Sequence, residues 1–149
     1  MPEKASRGYI FDGPEYSKIS PRIISAILNF QDQARLSGVI RNQNWVLDYS
    51  VDDCGRCLAG HGGKWLPRMA NVAHLYAPGT PYREDTRGLD VPIESRYIIF
   101  TGGEKTGLDR FTGNRRGFAE FHDPENLLGR LLYNIASPKN CGKDFWEAQ

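Results

Sequence analysis

The sequence predicts a mainly β domain, a barrel or sandwich of short strands, followed by C-terminal helical structure. Three observations predict it. Gly (16) and Pro (9) are too frequent in 149 residues for a helical bundle but suit an all-β domain with many turns. Short runs of aromatic and β-branched residues recur between clusters of Gly, Pro and Asp from Gly38 to Thr101. A leucine-rich stripe at helical spacing comes only after Asp123.

Residues 1–22 hold three prolines and two glycines with few apolar residues, and read as an irregular N-terminal arm. Ile23 to Phe30 is ambiguous. Ile23, Ile27, Phe30 and Ala34 fit a helical stripe, whereas the residue types of Ile23, Ile24, Ile27 and Phe30 suit a strand. Trp45 to Val51 is dense in strand formers and ends at the turn Asp52-Asp53-Cys54-Gly55. Cys57 to His61 reads as the return strand, and Val72 to Tyr76 as another. Pro78-Gly79-Thr80-Pro81 then forces a bend, because each Pro lacks a donor and fixes φ. Ile93 to Thr101 is a further strand, closed by Gly102-Gly103.

Asp123-Pro124-Glu125 has the residue order of a helix start, and Ser137-Pro138 stops that helix. Leu127, Leu128, Leu131, Leu132 and Ile135 form one apolar stripe, wide enough to pack on the barrel and still present an outward edge. Asp144-Phe145-Trp146-Glu147 has capping-box spacing, so a second helix is expected to begin where the sequence stops, as in a fragment of a longer protein. The expected organisation is an arm at 1–22, a barrel at 23–122 and a helical dimerisation segment at 123–149.

Composition narrows the function classes. Lys plus Arg is 19 and Asp plus Glu is 18, so no global charge draws the chain to nucleic acid or membrane. Arg115-Arg116 reads as a solvated loop. No apolar run approaches a membrane span, and the start lacks a signal-peptide core. Three cysteines, Cys54, Cys57 and Cys141, form no disulfide framework, which points to a reducing cytoplasm. Cys54-Gly55-Arg56-Cys57 has no second metal-binding pair at finger spacing, even with His61 and His74 nearby. His-x-His, the usual core of a barrel-wall metal site, is absent, and His61, His74 and His122 are scattered. The expectation is no metal, no other cofactor and no enzyme.

Residues from about 23 to 136 resemble the N-terminal sensor domain of AraC-family transcription regulators. Three stretches carry the resemblance: Trp45 to Val51 with Cys54-Gly55-Arg56; Leu75-Tyr76-Ala77-Pro78-Gly79-Thr80-Pro81-Tyr82; and Tyr97 to Phe100 followed by Gly117-Phe118 and the leucine-rich helix. There are two departures. Tyr82 stands where the family usually has His, and Pro67-Arg68-Met69-Ala70-Asn71 replaces the usual Arg-Pro-Gly-Asp turn. The resemblance implies a cupin-type double-stranded β-helix (a jelly-roll barrel) followed by helices. It implies a small effector in the barrel, a homodimer through the helices, and DNA contact only through a C-terminal domain that this chain lacks. The effector is expected to be a small polar molecule, a sugar or an organic acid. The alternative is a stand-alone cupin, a metal-dependent enzyme among its forms.

Candidate ligand contacts follow. The resemblance places an arginine near Arg41 against the ligand; its planar fork suits hydroxyls or a carboxylate. If Ser95, Tyr97 and Ile99 face inward, strand alternation puts a hydroxyl and an aromatic face into the cavity. Tyr82 and Glu84 follow the Pro-Gly-Thr-Pro turn at the barrel mouth. Trp45 is a weaker candidate, a core residue or a ligand platform.

Overall fold

A computed structural model describes residues 7–10, 21–60, 63–113 and 117–137. Nine strands are described: β1 (Arg7–Ile10), β2 (Arg22–Gln31), β3 (Trp45–Ser50), β4 (Arg56–Ala59), β5 (Trp65–Pro67), β6 (Val72–Tyr76), β7 (Tyr82–Asp85), β8 (Ile93–Thr101) and β9 (Phe118–His122). A 3-10 turn at Gly103–Thr106 and a short helix α1 (Asp109–Thr112) precede β9, and helix α2 (Leu127–Ala136) follows it. The strands make two antiparallel sheets, a six-stranded one in the order β1-β2-β8-β3-β6-β9 and a three-stranded one in the order β5-β4-β7.

Alternation along β3 sorts its side chains between two layers. Val46, Asp48 and Ser50 face the three-stranded sheet; Trp45, Leu47 and Tyr49 face α2. The inward layer meets the second sheet in a cluster of Val46, Cys57, Ala59, Tyr76 and Tyr82. The outward layer packs Trp45, Leu75 and Phe100 with Ile135 and Ala136 of α2, and Tyr49 and Ala73 with Leu132. The register sets Tyr97 opposite Asp48, Asp48 opposite His74 and His74 opposite Glu120. Directly opposed residues share a face, so a polar row crosses the inner layer of the large sheet. The loop between β2 and β3 closes one side through bridges from Leu36 to Asp85 and Ile40 to Tyr82.

The ambiguous stretch at Ile23 is strand. Its apolar residues are sandwiched between sheet partners and α2, so residue type prevails over the helical stripe. Within the region read as an irregular arm, Arg7–Ile10 pair with β2 from Leu28 to Ser25 and extend the sheet by an edge strand. β5 and β9 have no clear strand signal in the sequence: β5 is three residues long, and β9 lies where the pattern turns toward helix. The Asp144–Glu147 capping box, His61, Arg115, Arg116 and Cys141 lie outside the described residues.

The helix begins at Leu127, four residues beyond Asp123. Asp123 to Asn126 form a turn, closed by Asn126 N donating to the Asp123 carbonyl at 3.0 Å, and Asn126 takes φ 54°. Asp123 still caps from outside the helix: its Oδ1 accepts from Leu127 N at 2.9 Å and its Oδ2 from Gly129 N at 3.1 Å. Leu132 and Ile135 are buried and Leu128 is half-buried, whereas Leu127 and Leu131 remain 52% and 45% exposed. No helix among the described residues is long and apolar enough to cross a membrane.

Candidate functional site

Between the two sheets lies a cavity of about 300 Å³. Its polar lining is Asn29 from β2, Asp48 from β3, Tyr82 and Glu84 from β7, and Ser95 and Tyr97 from β8. Ile40, Val46 and Ile99 supply apolar wall, and Arg35 and Asn42 complete the lining from the β2–β3 loop. Such a mix of apolar wall and a few convergent polar groups is what a small-molecule site requires. Asn29 Nδ2 donates to Ser95 Oγ at 3.2 Å, which ties two lining side chains together.

The cavity is organised by a buried arginine. Arg68 Nη2 donates to Asp48 Oδ2 at 2.7 Å, and Arg68 Nη1 lies 3.4 Å from Glu84 Oε1. The Arg68 side chain is 4% exposed. Its backbone is fixed by donating to the Gly55 carbonyl at 2.8 Å and accepting from Cys54 N at 2.9 Å. Burial opposes the Arg68 charge, but Asp48 and Glu84 hold it firmly protonated. Burial pushes Asp48 up to about 6; Arg68 pulls it down, and the neighbouring Glu84 raises it further. One carboxylate oxygen, Asp48 Oδ1, is buried without a hydrogen-bond partner among the described residues. Burial, with Asp48 and Glu84, raises the phenols of Tyr82 and Tyr97, so both stay protonated.

Four of the six candidate ligand contacts read from the sequence line this one cavity: Tyr82, Glu84, Ser95 and Tyr97. Two do not. Arg41 is exposed, with Nη1 3.4 Å from the Gly79 carbonyl. Its neighbours Ile40 and Asn42 face the cavity, so Arg41 points elsewhere. Trp45 is 3% exposed on the opposite face of β3, stacked on Phe100 with centroids 6.1 Å apart, and its Nε1 donates to Glu104 Oε2 at 3.1 Å. Asn29, Asp48 and Arg68 escaped the sequence reading. Asp48 carried a usable signal, a lone charge within an otherwise apolar and aromatic strand. Arg68 carried only the altered turn at Pro67-Arg68-Met69.

Cys54 and Cys57 are both buried and free, and burial pushes both thiols up to about 11. They are therefore poor nucleophiles and poor metal ligands. Cys57 Sγ lies 3.6 Å from His74 Nδ1, and His74 Nε2 lies 3.1 Å from Glu120 Oε2. Burial and Arg68 lower the His74 pKa and favour the neutral ring. No group of three His, Cys, Asp or Glu side chains among the described residues could hold a metal ion. Among the described residues the cavity offers two carboxylates that already share Arg68, and no histidine lines it. These residues do not fit a resident divalent metal.

A wider, more open depression of about 420 Å³ lies on the three-stranded sheet. Arg56 sits 4.8 Å over the Trp65 ring there, and Arg56 and Arg87 both clamp Asp85. Those two cations hold that carboxyl well below the usual carboxylate range. The depression's arginines are thus already engaged.

No protein-family model matches the sequence, and a comparison with curated proteins finds no match. Solved structures do match. YhaK from Escherichia coli is 14% identical with TM-score 0.52, covering 84% of this chain and 58% of YhaK. Oxalate decarboxylase from Bacillus subtilis is 10% identical with TM-score 0.47, covering 80% of this chain and 37% of that one. HEPD from Streptomyces albus, solved with 2-hydroxyethylphosphonate and Fe(II) bound, is 14% identical with TM-score 0.38, covering 72% and 31%. The chain therefore spans less than two thirds of each. The AraC-family assignment, a role in transcription and a dimer find no support in these comparisons. The expectation that the chain is not an enzyme is withdrawn, because oxalate decarboxylase and HEPD, both enzymes, are among the similar structures. At such identities the likeness speaks to the fold, and the fold is a cupin-type β-barrel.

Proposed function

We propose that this cupin domain binds a small polar molecule in the cavity between its two sheets. The observation that carries the reading is the Asp48–Glu84 pair on the wall of a 300 Å³ cavity, bridged by the buried Arg68. A buried charged cluster facing an apolar-walled space is costly to maintain for packing alone. A ligand held there would touch Asp48, Ser95 and Tyr97 on one sheet and Tyr82 and Glu84 on the other. It would thereby fix the spacing of the sheets and of the loop bridged to β7 at Ile40.

The finer reading is the sensor domain of an AraC-family regulator, acting in the cytoplasm as a homodimer. It rests on the resemblance of Leu75 to Tyr82 and the ordered motifs around it. In that reading the ligand acts by binding one of two conformations more tightly. In that reading DNA contact belongs to a separate domain, and residues 1–149 alone are expected not to shift promoter DNA. The stand-alone cupin remains the alternative, and the fate of the ligand separates the two.

The test is a screen of small polar metabolites against the purified chain by amide NMR, with recovery and mass analysis of each ligand that binds. Binding that perturbs Asp48, Glu84 and Tyr97, and that weakens in Tyr97→Phe but not in Arg41→Ala, supports the site. Perturbations confined to the Arg56–Trp65 depression would overturn it. A ligand recovered chemically altered would favour the enzyme reading over the sensor.

A further inference from the structure

The depression on the three-stranded sheet sets two guanidiniums against one carboxylate. Arg56 donates to Asp85 Oδ2 from Nε at 3.1 Å and from Nη2 at 2.8 Å. Arg87 donates from Nε to Asp85 Oδ1 at 2.8 Å and from Nη2 to Asp85 Oδ2 at 3.0 Å. Among the described residues Asp85 is the one carboxylate lining the depression, and neither arginine forms an ion pair with another. Asp53 and Asp90 are close in sequence to lining residues but do not line it, and Asp53 Oδ1 accepts from Gly55 N at 2.9 Å. Two cations against one anion leave one positive charge unbalanced.

Each guanidinium has spent one of its two forks. The edge made by Nε and Nη2 faces Asp85, and the edge made by Nη1 and the second Nη2 hydrogen has no partner among the described residues. These free edges are accessible, since the Arg56 and Arg87 side chains are 52% and 58% exposed while Asp85 between them is buried. Both arginines are held in place beforehand. Asp85 grips the pair, its Oδ1 also accepts from Arg87 N at 3.2 Å, and the Arg56 guanidinium lies 4.8 Å over the Trp65 ring. Donors fixed in advance lose less freedom when an anion binds. The strand register builds this arrangement. Arg56 on β4 stands directly opposite Pro67 on β5 and Asp85 on β7, so the three share the outer face of the small sheet. Their neighbours Cys57 and Glu84 turn to the inner face.

We propose that this depression binds a small organic oxyanion, a carboxylate or phosphate that accepts from the free edges of Arg56 and Arg87 and lays an apolar body on Trp65, Pro67 and Leu89. Its volume of about 420 Å³ is in the range of small-molecule sites. The site lies on the other side of the small sheet from the cavity and does not rest on the reading of that cavity.

The experiment titrates the whole chain with phenyl phosphate, benzoate and benzyl alcohol, which keep one ring and change the charge. Amide signals of Gly55, Arg56 and Arg87 and the indole signal of Trp65 report binding by NMR. The expected result is a saturable shift of these signals by at least one of the two anions, about fivefold or more tighter than the alcohol. Whichever anion binds tighter identifies the oxyanion. Raising salt from about 20 mM to about 200 mM should weaken the binding severalfold, because the arginines are exposed.

Arg87→Lys keeps the charge and removes the fork, and should weaken the anion about fivefold or more; Arg56→Gln should do the same. Arg110→Gln, at an exposed cation elsewhere, should leave binding unchanged. If one of the first two variants does not fold, the other and the salt series on the unaltered chain decide. Benzyl alcohol binding as tightly as both anions overturns the proposal, as does Arg87→Lys binding like the wild type or binding indifferent to salt. Shifts spread without saturation over exposed cations, Arg110 included, reduce the effect to general surface charge and overturn it too. No shift of the reporting signals at about 50 mM of either anion overturns it outright. Shifts at Asp48, Glu84 and Tyr97 bear on the cavity alone.

Discussion

Asp48 is the residue at which local sequence and global fold disagree, and its protonation has a calculable consequence. Its carboxyl is pushed up to about 6 by burial, against an ordinary value of 3.8. The folded chain then binds a proton that the unfolded chain releases, so this group's contribution falls as pH rises from about 4 to about 6. Wild type relative to Asp48→Asn is expected to lose up to about 3 kcal/mol across that window, with urea unfolding as the readout. Stability that instead rises relative to the variant would show that Arg68 outweighs burial. At Trp45, truncation to Ala should cost about 3–5 kcal/mol while leaving ligand contacts intact, because the ring fills the α2 side of the sheet. Arg41→Ala should change stability by less than about 0.5 kcal/mol. Tyr97 and Ser95 were legible because alternation on a long strand fixes their common face. Arg41 was not, since residues 32–44 form a loop with no regular period to read. Arg68 was not, since its partners come from β3 and β7, far away in sequence.

The elements were legible in proportion to their length and regularity. β3, β6 and β8 declare themselves through aromatic and β-branched runs, whereas β5 and β9 depend on neighbours that the sequence does not name. Helix α2 was readable as an apolar stripe, but its start was displaced because Asp123 caps across a turn. That geometry makes a prediction about Gly129. A Cβ there would stand 2.7 Å from a Tyr49 ring carbon and closer still to Asn126 Oδ1. The Tyr49 ring is 0% exposed and its hydroxyl lies between Asn71 and Asn126 at 3.1 and 3.0 Å, so it has little room to move. Gly129→Ala should therefore destabilise by about 1–3 kcal/mol, against the gain that helix propensity alone would suggest. A melting temperature equal to or above wild type would mean that α2 shifts on the sheet without penalty. Asp123→Ala removes both outside caps and should cost about 1 kcal/mol in the same assay.

At the scale of the whole molecule, α2 divides its leucines between two tasks. Leu128, Leu132 and Ile135 turn toward the sheet and enclose an apolar groove of about 190 Å³ with Ile23, Leu47 and Phe100. Leu127 and Leu131 stay 52% and 45% exposed along one flank, where Leu131 also lines the rim of that groove, and Tyr133, 47% exposed, lies on the other flank with Arg96 over its ring. Fully burying a leucine is worth roughly 1.5–3 kcal/mol, so this outer edge favours association with something apolar. A second copy of the same helix is the partner expected from the sequence resemblance, in an isologous contact where Leu131 would meet its equivalent. Two half-exposed leucines fall well short of the roughly 1,200 Å² that a stable interface buries, so the dimer is expected to be weak and reversible. Sedimentation equilibrium should show a monomer at low micromolar concentration and a growing dimer fraction toward about 100 µM. Leu131→Glu should abolish that association with little loss of melting temperature, because Leu131 is not among the core residues the helix buries. A wild-type chain that remains monomeric at high concentration, or a Leu131→Glu variant that still dimerises, would confine α2 to covering the barrel.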